Sequence, residues 1–150
     1  MKNLFEPATA AEVKARLLHL RPDSGALWGK MNAAQAVAHC CAGLEMALGD
    51  SRPKRVLVGR IIGRIVKPLA LGNDEPIRRN TPTVAEMRVA DERDLADERR
   101  RLCGLIDRFS AAGPAGCTTH PHSFFGPLTP GEWAVLMYKH LDHHLRQVGA

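Results

Sequence analysis

Apolar residues recur at intervals of three and four in four separate stretches of this chain, and strand-like alternation is nearly absent. A chain patterned in this way must bury helix stripes against one another, which predicts an all-α fold. Each stretch carries its own start and stop chemistry. The first helix is expected over about residues 10–20, where Thr9 and Glu12 have capping-box spacing, Val13, Leu17 and Leu20 share a face, and Pro22 lies beyond the end. The second is expected over about 32–48. Asn32 and Gln35 have capping-box spacing, Ala34, Ala38 and Ala42 admit a close neighbour, and Gly49 supplies a C-cap. The third, over about 91–111, is the most polar, with Leu95, Leu102, Ile106 and Phe109 forming a narrow stripe that Gly113 and Pro114 end. The fourth has the clearest start, with Thr129 as N-cap, Pro130 at the first helical position and Glu132 three residues after the cap. It runs to about Gln147, and its inward stripe is Trp133, Leu136, Met137, His140, Leu141, His144 and Val148.

Residues 53–70 hold a further amphipathic segment, apolar at Val56, Val58, Ile61, Ile62, Ile65 and Val66 and basic at Arg60, Arg64 and Lys67, with Pro68 expected to close it. Basic amphipathic helices can lie on anionic membranes or act as lids. The expectation here is the plainer one, a short helix that packs its apolar side on the bundle. The chain from Leu71 to Pro82 is read as loop. The predicted architecture is thus a four-helix bundle in one domain, residues 1–150, with a long crossover that carries a short extra helix.

Composition closes off other classes. At 45% hydrophobic in 150 residues the chain can bury a core without staples, and its four cysteines form no CxxC pair, so they read as free thiols. No apolar run approaches the roughly 18 to 20 residues of a membrane span, so integral membrane association is not expected. The N-terminal stretch shows no secretory pattern, and a cytoplasmic location is expected. The net charge of +5 is uneven: Arg52, Lys54, Arg55, Arg60, Arg64 and Lys67 fall between Asp50 and Asp74 with no acid among them. With 5% aromatic residues and no recognised nucleic-acid motif, nucleic acid is not an expected partner.

The chemistry is sought among polar residues on inward stripes, because bundle cores are where metal and cofactor sites are built. His140 and His144 stand four apart on one helix face, close enough to share one metal ion. His39, one turn after Gln35 on the second helix, offers a third nitrogen, and three protein ligands with an open position are the pattern of a catalytic site. Two rival readings stand beside it. Seven histidines produce such a pair by chance with some frequency, and His143, His144 and Arg146 occupy a last helical turn, where cations suit the helix dipole. His143, three after His140, competes as a ligand. Asp142 is expected to form an exposed ion pair with Arg146, and Cys40 to be a buried inert thiol. Glu45 projects away from His39. His122, in the loop entering the last helix, either closes over the site or has no role, and His19 and His120 read as surface residues. No GxSxG, P-loop, GxGxxG or HExxH pattern is present.

Trp28 to Asn32, Gln35, His39 and Cys40, then His122, Phe124, Phe125, Gly126, Leu128, Thr129, Glu132, Trp133 and the run YKHLDHHLRQ at Tyr138 to Gln147, resemble a DinB-like family of unknown function within the DinB and YfiT-like superfamily. The middle of the chain matches mainly in NTPT at Asn80 to Thr83. The resemblance implies a four-helix bundle with a divalent metal, zinc or nickel, on His39, His140 and His144; the inward stripes and the loop before the last helix add Gln35, His122 and His143 as possible site-lining residues. The resemblance further implies a homodimer acting on a small-molecule substrate, as a metal-dependent hydrolase or a transferase using a low-molecular-weight thiol. The rival from another class is a noncatalytic metal-binding or protein-interaction module.

Overall fold

The computed structural model describes residues 1–81 and 85–150. Among them there are five α-helices and no strand: α1 Pro7–Leu18, α2 Ala33–Leu48, α3 Leu57–Leu71, α4 Leu95–Ala112 and α5 Pro130–Gln147. Short 3-10 turns stand at Ala85–Met87 and Gly113–Gly116. Pro82 and Thr83 of the NTPT stretch lie outside the described residues.

Local chemistry sets the boundaries of α2 and α5. Both capping boxes close: Asn32 with Gln35, and Thr129 with Glu132, each exchange side-chain and backbone bonds across the first turn. Gly49 ends α2 in the left-handed region at φ 82°. Asp94 caps α4 by accepting from the Asp97 N–H. The expected Thr9 box does not form. Pro7 starts α1 earlier, at a position where a missing N–H costs nothing, and Thr9 is carried inside the helix, where its hydroxyl donates to Glu6.

Helix α2 packs on α4 and α5, and α1 packs on the same two. Their stripes meet in one core of Val13, Leu17, Leu44, Leu102, Ile106, Phe109, Trp133 and Leu141, all essentially inaccessible. Burial on this scale is worth roughly 1.5–3 kcal/mol for each large side chain. Helix α2 carries the smallest side chains and is the most deeply enclosed.

Helix α3 departs from expectation twice. Pro68 lies inside it rather than closing it, and Leu71 and Gly72 form its end. Its apolar side does not face the bundle. The edge turned inward carries Gly59 and Gly63, and a Cβ at either would come within 2.5 Å or 2.2 Å of the Phe124 carbonyl oxygen. Polar ties finish the attachment: Lys67 reaches Glu132 and the Pro127 carbonyl, and buried Lys139 of α5 donates to the carbonyls of Ala70 and Asn73.

Candidate metal centre

Helices α2 and α5 lie close because α2 presents small residues, and at one point only glycine fits. A Cβ at Gly43 would stand 2.9 Å from Nδ1 of His140. The His140 imidazole therefore lies in the space that a side chain at Gly43 would fill. His39 meets it from α2, and His144 joins one turn further along α5.

The candidate ligand nitrogens of His39, His140 and His144 all lie within 4.8 Å of one another. Nε2 of His39 and Nε2 of His140 are 2.9 Å apart. The three rings stand edge to face, with centroids 4.6 to 4.8 Å apart and planes inclined by 67° to 87°. Nitrogens sharing one tetrahedral ion at roughly 2.0–2.1 Å would be ~3.3 Å apart, a separation between the shortest and widest spacings of this cluster.

Second partners fix which nitrogen carries the proton. His39 Nδ1 is 2.7 Å from the Met87 carbonyl, an acceptor only, so Nδ1–H donates and Nε2 keeps its lone pair. His144 Nδ1 is 2.7 Å from Oε1 of Gln147, which imposes the same tautomer. Gln147 is held in turn: its Nε2 donates to the Trp28 carbonyl at 2.8 Å, and the Leu27 N–H donates to its own carbonyl at 2.7 Å. Gly29 makes this approach feasible, since at φ 75° a Cβ would lie 2.4 Å from the Gln147 amide nitrogen. Nδ1 of His140 is buried and has no partner among the described residues.

Burial keeps the cluster neutral. It depresses His144 to about 3, pushes His140 well below the ordinary histidine value, with any charge on His39 and His144 adding to the effect, and lowers His39 as well. Neutral imidazoles with their lone pairs available are the form a metal requires. The helix-end reading does not describe His144, whose ring is buried, uncharged and bonded to Gln147. Among the described residues, no fourth histidine, cysteine or carboxylate joins the group.

The remaining candidates have other partners. His122 is turned by the N–H groups of Phe124 and Phe125, which donate to its Nδ1 at 3.1 and 3.2 Å, leaving Nε2 protonated. Burial and the Arg55 charge bring it down to about 4, and it rests on Trp133 within electrostatic reach of His140. The His143 Nδ1–H donates to the Ile77 carbonyl, and its ring meets Trp28 and His144 edge-on. It lines a cleft of about 650 Å³ with Trp28, Arg78, Arg79 and Arg146, and none of the three clustered histidines lines that cleft. The Gln35 amide is engaged by the cap and by the Asp91 carbonyl, so it anchors the chain beyond Met87.

Glu45 turns away to Arg101. Asp142 is a correction: it does pair with Arg146, at 2.8 Å, but it is buried and Arg16 of α1 holds its other oxygen at 2.8 Å. Cys40 is buried, and its thiol is pushed well above its usual range. His19 is exposed, whereas His120 is half-buried, with Nε2 3.5 Å from the Pro53 carbonyl.

Sequence reasoning missed Gly43, Gln147 and the Met87 carbonyl. Glycine in a helix interior costs about 0.5–1 kcal/mol relative to alanine, so Gly43 four residues after a histidine was itself a signal of close approach. Gln147, three after His144, had the spacing of a helical side-chain pair. The Met87 carbonyl had no signal in the sequence.

No curated protein matches the chain, and no solved structure does. Residues 5–150 match a family described as "Protein of unknown function (DUF1569)", and the chain belongs to that family.

Proposed function

We propose that this protein is a metal-dependent enzyme of the DinB and YfiT-like kind, holding one divalent ion, zinc or nickel, on His39, His140 and His144. The observation that carries the reading is the pair of Nδ1–H bonds, His39 to the Met87 carbonyl and His144 to Gln147. These outer bonds leave Nε2 of both rings unprotonated within a cluster whose ligand nitrogens lie within 4.8 Å of one another, and metal-binding histidines are oriented by such outer partners. The three-ligand set among the described residues favours catalysis over a closed structural site. When bound, the ion supplies Lewis acidity, bringing the pKa of a water or a substrate thiol toward neutrality.

The chain's own groups suit hydrolysis or transfer of a low-molecular-weight thiol. His122 has Nε2–H as its only donor and is held rigidly beside Trp133, so it can donate a hydrogen bond to a developing negative charge. Trp28, over which Arg79 stacks at 4.3 Å, lines the neighbouring cleft together with His143, whose ring meets that of His144 edge-on.

The test is the metal content of protein purified without chelator, beside a His39→Ala, His140→Ala double variant. About one equivalent of zinc or nickel, absent from the variant, is the expected result. Wild-type protein that stays folded and empty after metal supplementation overturns the reading. Retained metal in the variant does so as well.

A further inference from the structure

Helix α3 is amphipathic with its apolar side to solvent. Leu57, Ile61, Ile65 and Leu69 are 68 to 73% exposed, and Val58 is 59% exposed. With Ile62 they cover an arc of about 140° at 100° per residue, nearly opposite the glycine edge that holds the helix to the Phe124 loop. Arg60 and Arg64 run along one border of this stripe, and both are exposed. Isolated exposed apolar residues need no explanation, but six large ones on one helix face do.

We propose that α3 is a docking surface for an anionic membrane, inserting its apolar stripe at the headgroup boundary while Arg60 and Arg64 bind lipid phosphates and carboxylates. This goes beyond the histidine site and uses none of its residues. Charge chooses the occupant. Between Asp50 and Asp74 the chain has six cations and no anion, and among the described residues only Lys67 of α3 is paired, with Glu132, so whatever covers α3 must tolerate the basic border of Arg60 and Arg64. A second copy brings the same cations, and an antiparallel two-fold pairing of α3 places both arginine rows on one side of the seam, like charge beside like charge. Nucleic acid would use the arginines and leave the isoleucines wet. An anionic bilayer satisfies both faces at once, which is the requirement of an interfacial helix. The helix is also fixed for this use, because its glycine edge and the Lys67 and Lys139 ties hold it without spending the apolar stripe.

The test is co-sedimentation of the full chain with phosphatidylcholine vesicles, with and without about 30% phosphatidylserine. Wild type is expected to bind the anionic vesicles at least about tenfold better, and about 0.5 M salt is expected to weaken that binding severalfold. Ile61→Ser with Ile65→Ser, and separately Arg60→Glu with Arg64→Glu, are each expected to lose about tenfold. Unchanged thermal midpoints show that these exposed substitutions leave the fold intact. The proposal is overturned if wild type ignores anionic vesicles, or if the isoleucine variant binds them equally well. It is equally overturned by a wild-type dimer that Ile61→Ser dissociates, and by tight duplex DNA binding that the isoleucine variant retains in place of vesicle binding.

Discussion

Helices α5 and α3 are both amphipathic, both marked in the sequence by apolar residues at helical spacing, and they point their apolar sides in opposite directions. Helix α5 turns Trp133, Met137 and Leu141 into the core, with His140 and His144 on the same side. Helix α3 turns Gly59 and Gly63 inward, buries Leu71 at its end, and leaves Leu57, Ile61, Ile62, Ile65 and Leu69 wet. Periodicity identifies a face; it does not say what the face meets. In α5 the stripe is broad and three other helices share its core. In α3 the nearest partner is the backbone of Phe124 and Phe125, and only the glycine edge lets that backbone approach.

The sharpest way to break this comparison is to truncate the stripe of α5. Trp133 is fully buried, and Trp133→Ala is expected to destabilise by about 3–5 kcal/mol, read as a lowered urea midpoint. The single change Ile61→Ser in α3 is expected to stay within about 0.5 kcal/mol. If the two costs were similar, α3 would be part of the core and the contrast would be false.

The second test uses pH. His144 and His122 are depressed by burial to about 3 and about 4, against 6.5 for a free histidine. The unfolded chain therefore binds more protons than the native one between these values. The stability these neutral rings provide is fully present above about pH 6.5 and is lost as pH falls toward 4. Chelator-treated protein is expected to lose about 1–2 kcal/mol for each of the two between pH 7 and pH 5, seen in the urea midpoint. Nothing on the exposed face of α3 titrates in that window. A flat profile would mean that the histidines are not buried as neutral groups.

What was legible beforehand follows the range of the interaction that decides it. The boxes at Asn32 and Thr129 are settled within four residues, and both form where the spacing predicts them. The Thr9 box failed for an equally local reason, the competing start at Pro7. The spacing of His140 and His144 is a property of one helix, and His39 was found as a lone polar residue among small ones. The parts of the site with no local signal depend on segments far apart in the chain: Met87 meeting His39, Trp28 meeting Gln147, and Arg16 reaching Asp142. The orientation of α3 belongs with these, because the Phe124 backbone that fixes it lies some sixty residues away.

The smallest effect is the most discriminating, because its sign separates the two kinds of helix surface. In a helix interior glycine costs about 0.5–1 kcal/mol relative to alanine, so Gly→Ala ordinarily stabilises. Gly104, on the exposed side of α4, has nothing within 4 Å of an added Cβ, and Gly104→Ala is expected to gain up to that amount. At Gly63 the same Cβ would sit 2.2 Å from the Phe124 carbonyl oxygen, which is backbone and cannot rotate aside. Overpacking of this kind costs about 1–3 kcal/mol, which exceeds the propensity gain, so Gly63→Ala is expected to destabilise or to lift α3 from the loop. Thermal midpoints of the two variants read the sign, and limited proteolysis between Ser51 and Gly72 reads the lifting. Should Gly63→Ala instead stabilise as Gly104→Ala does, the glycine edge is not what holds α3, and the outward direction of its apolar stripe loses its cause.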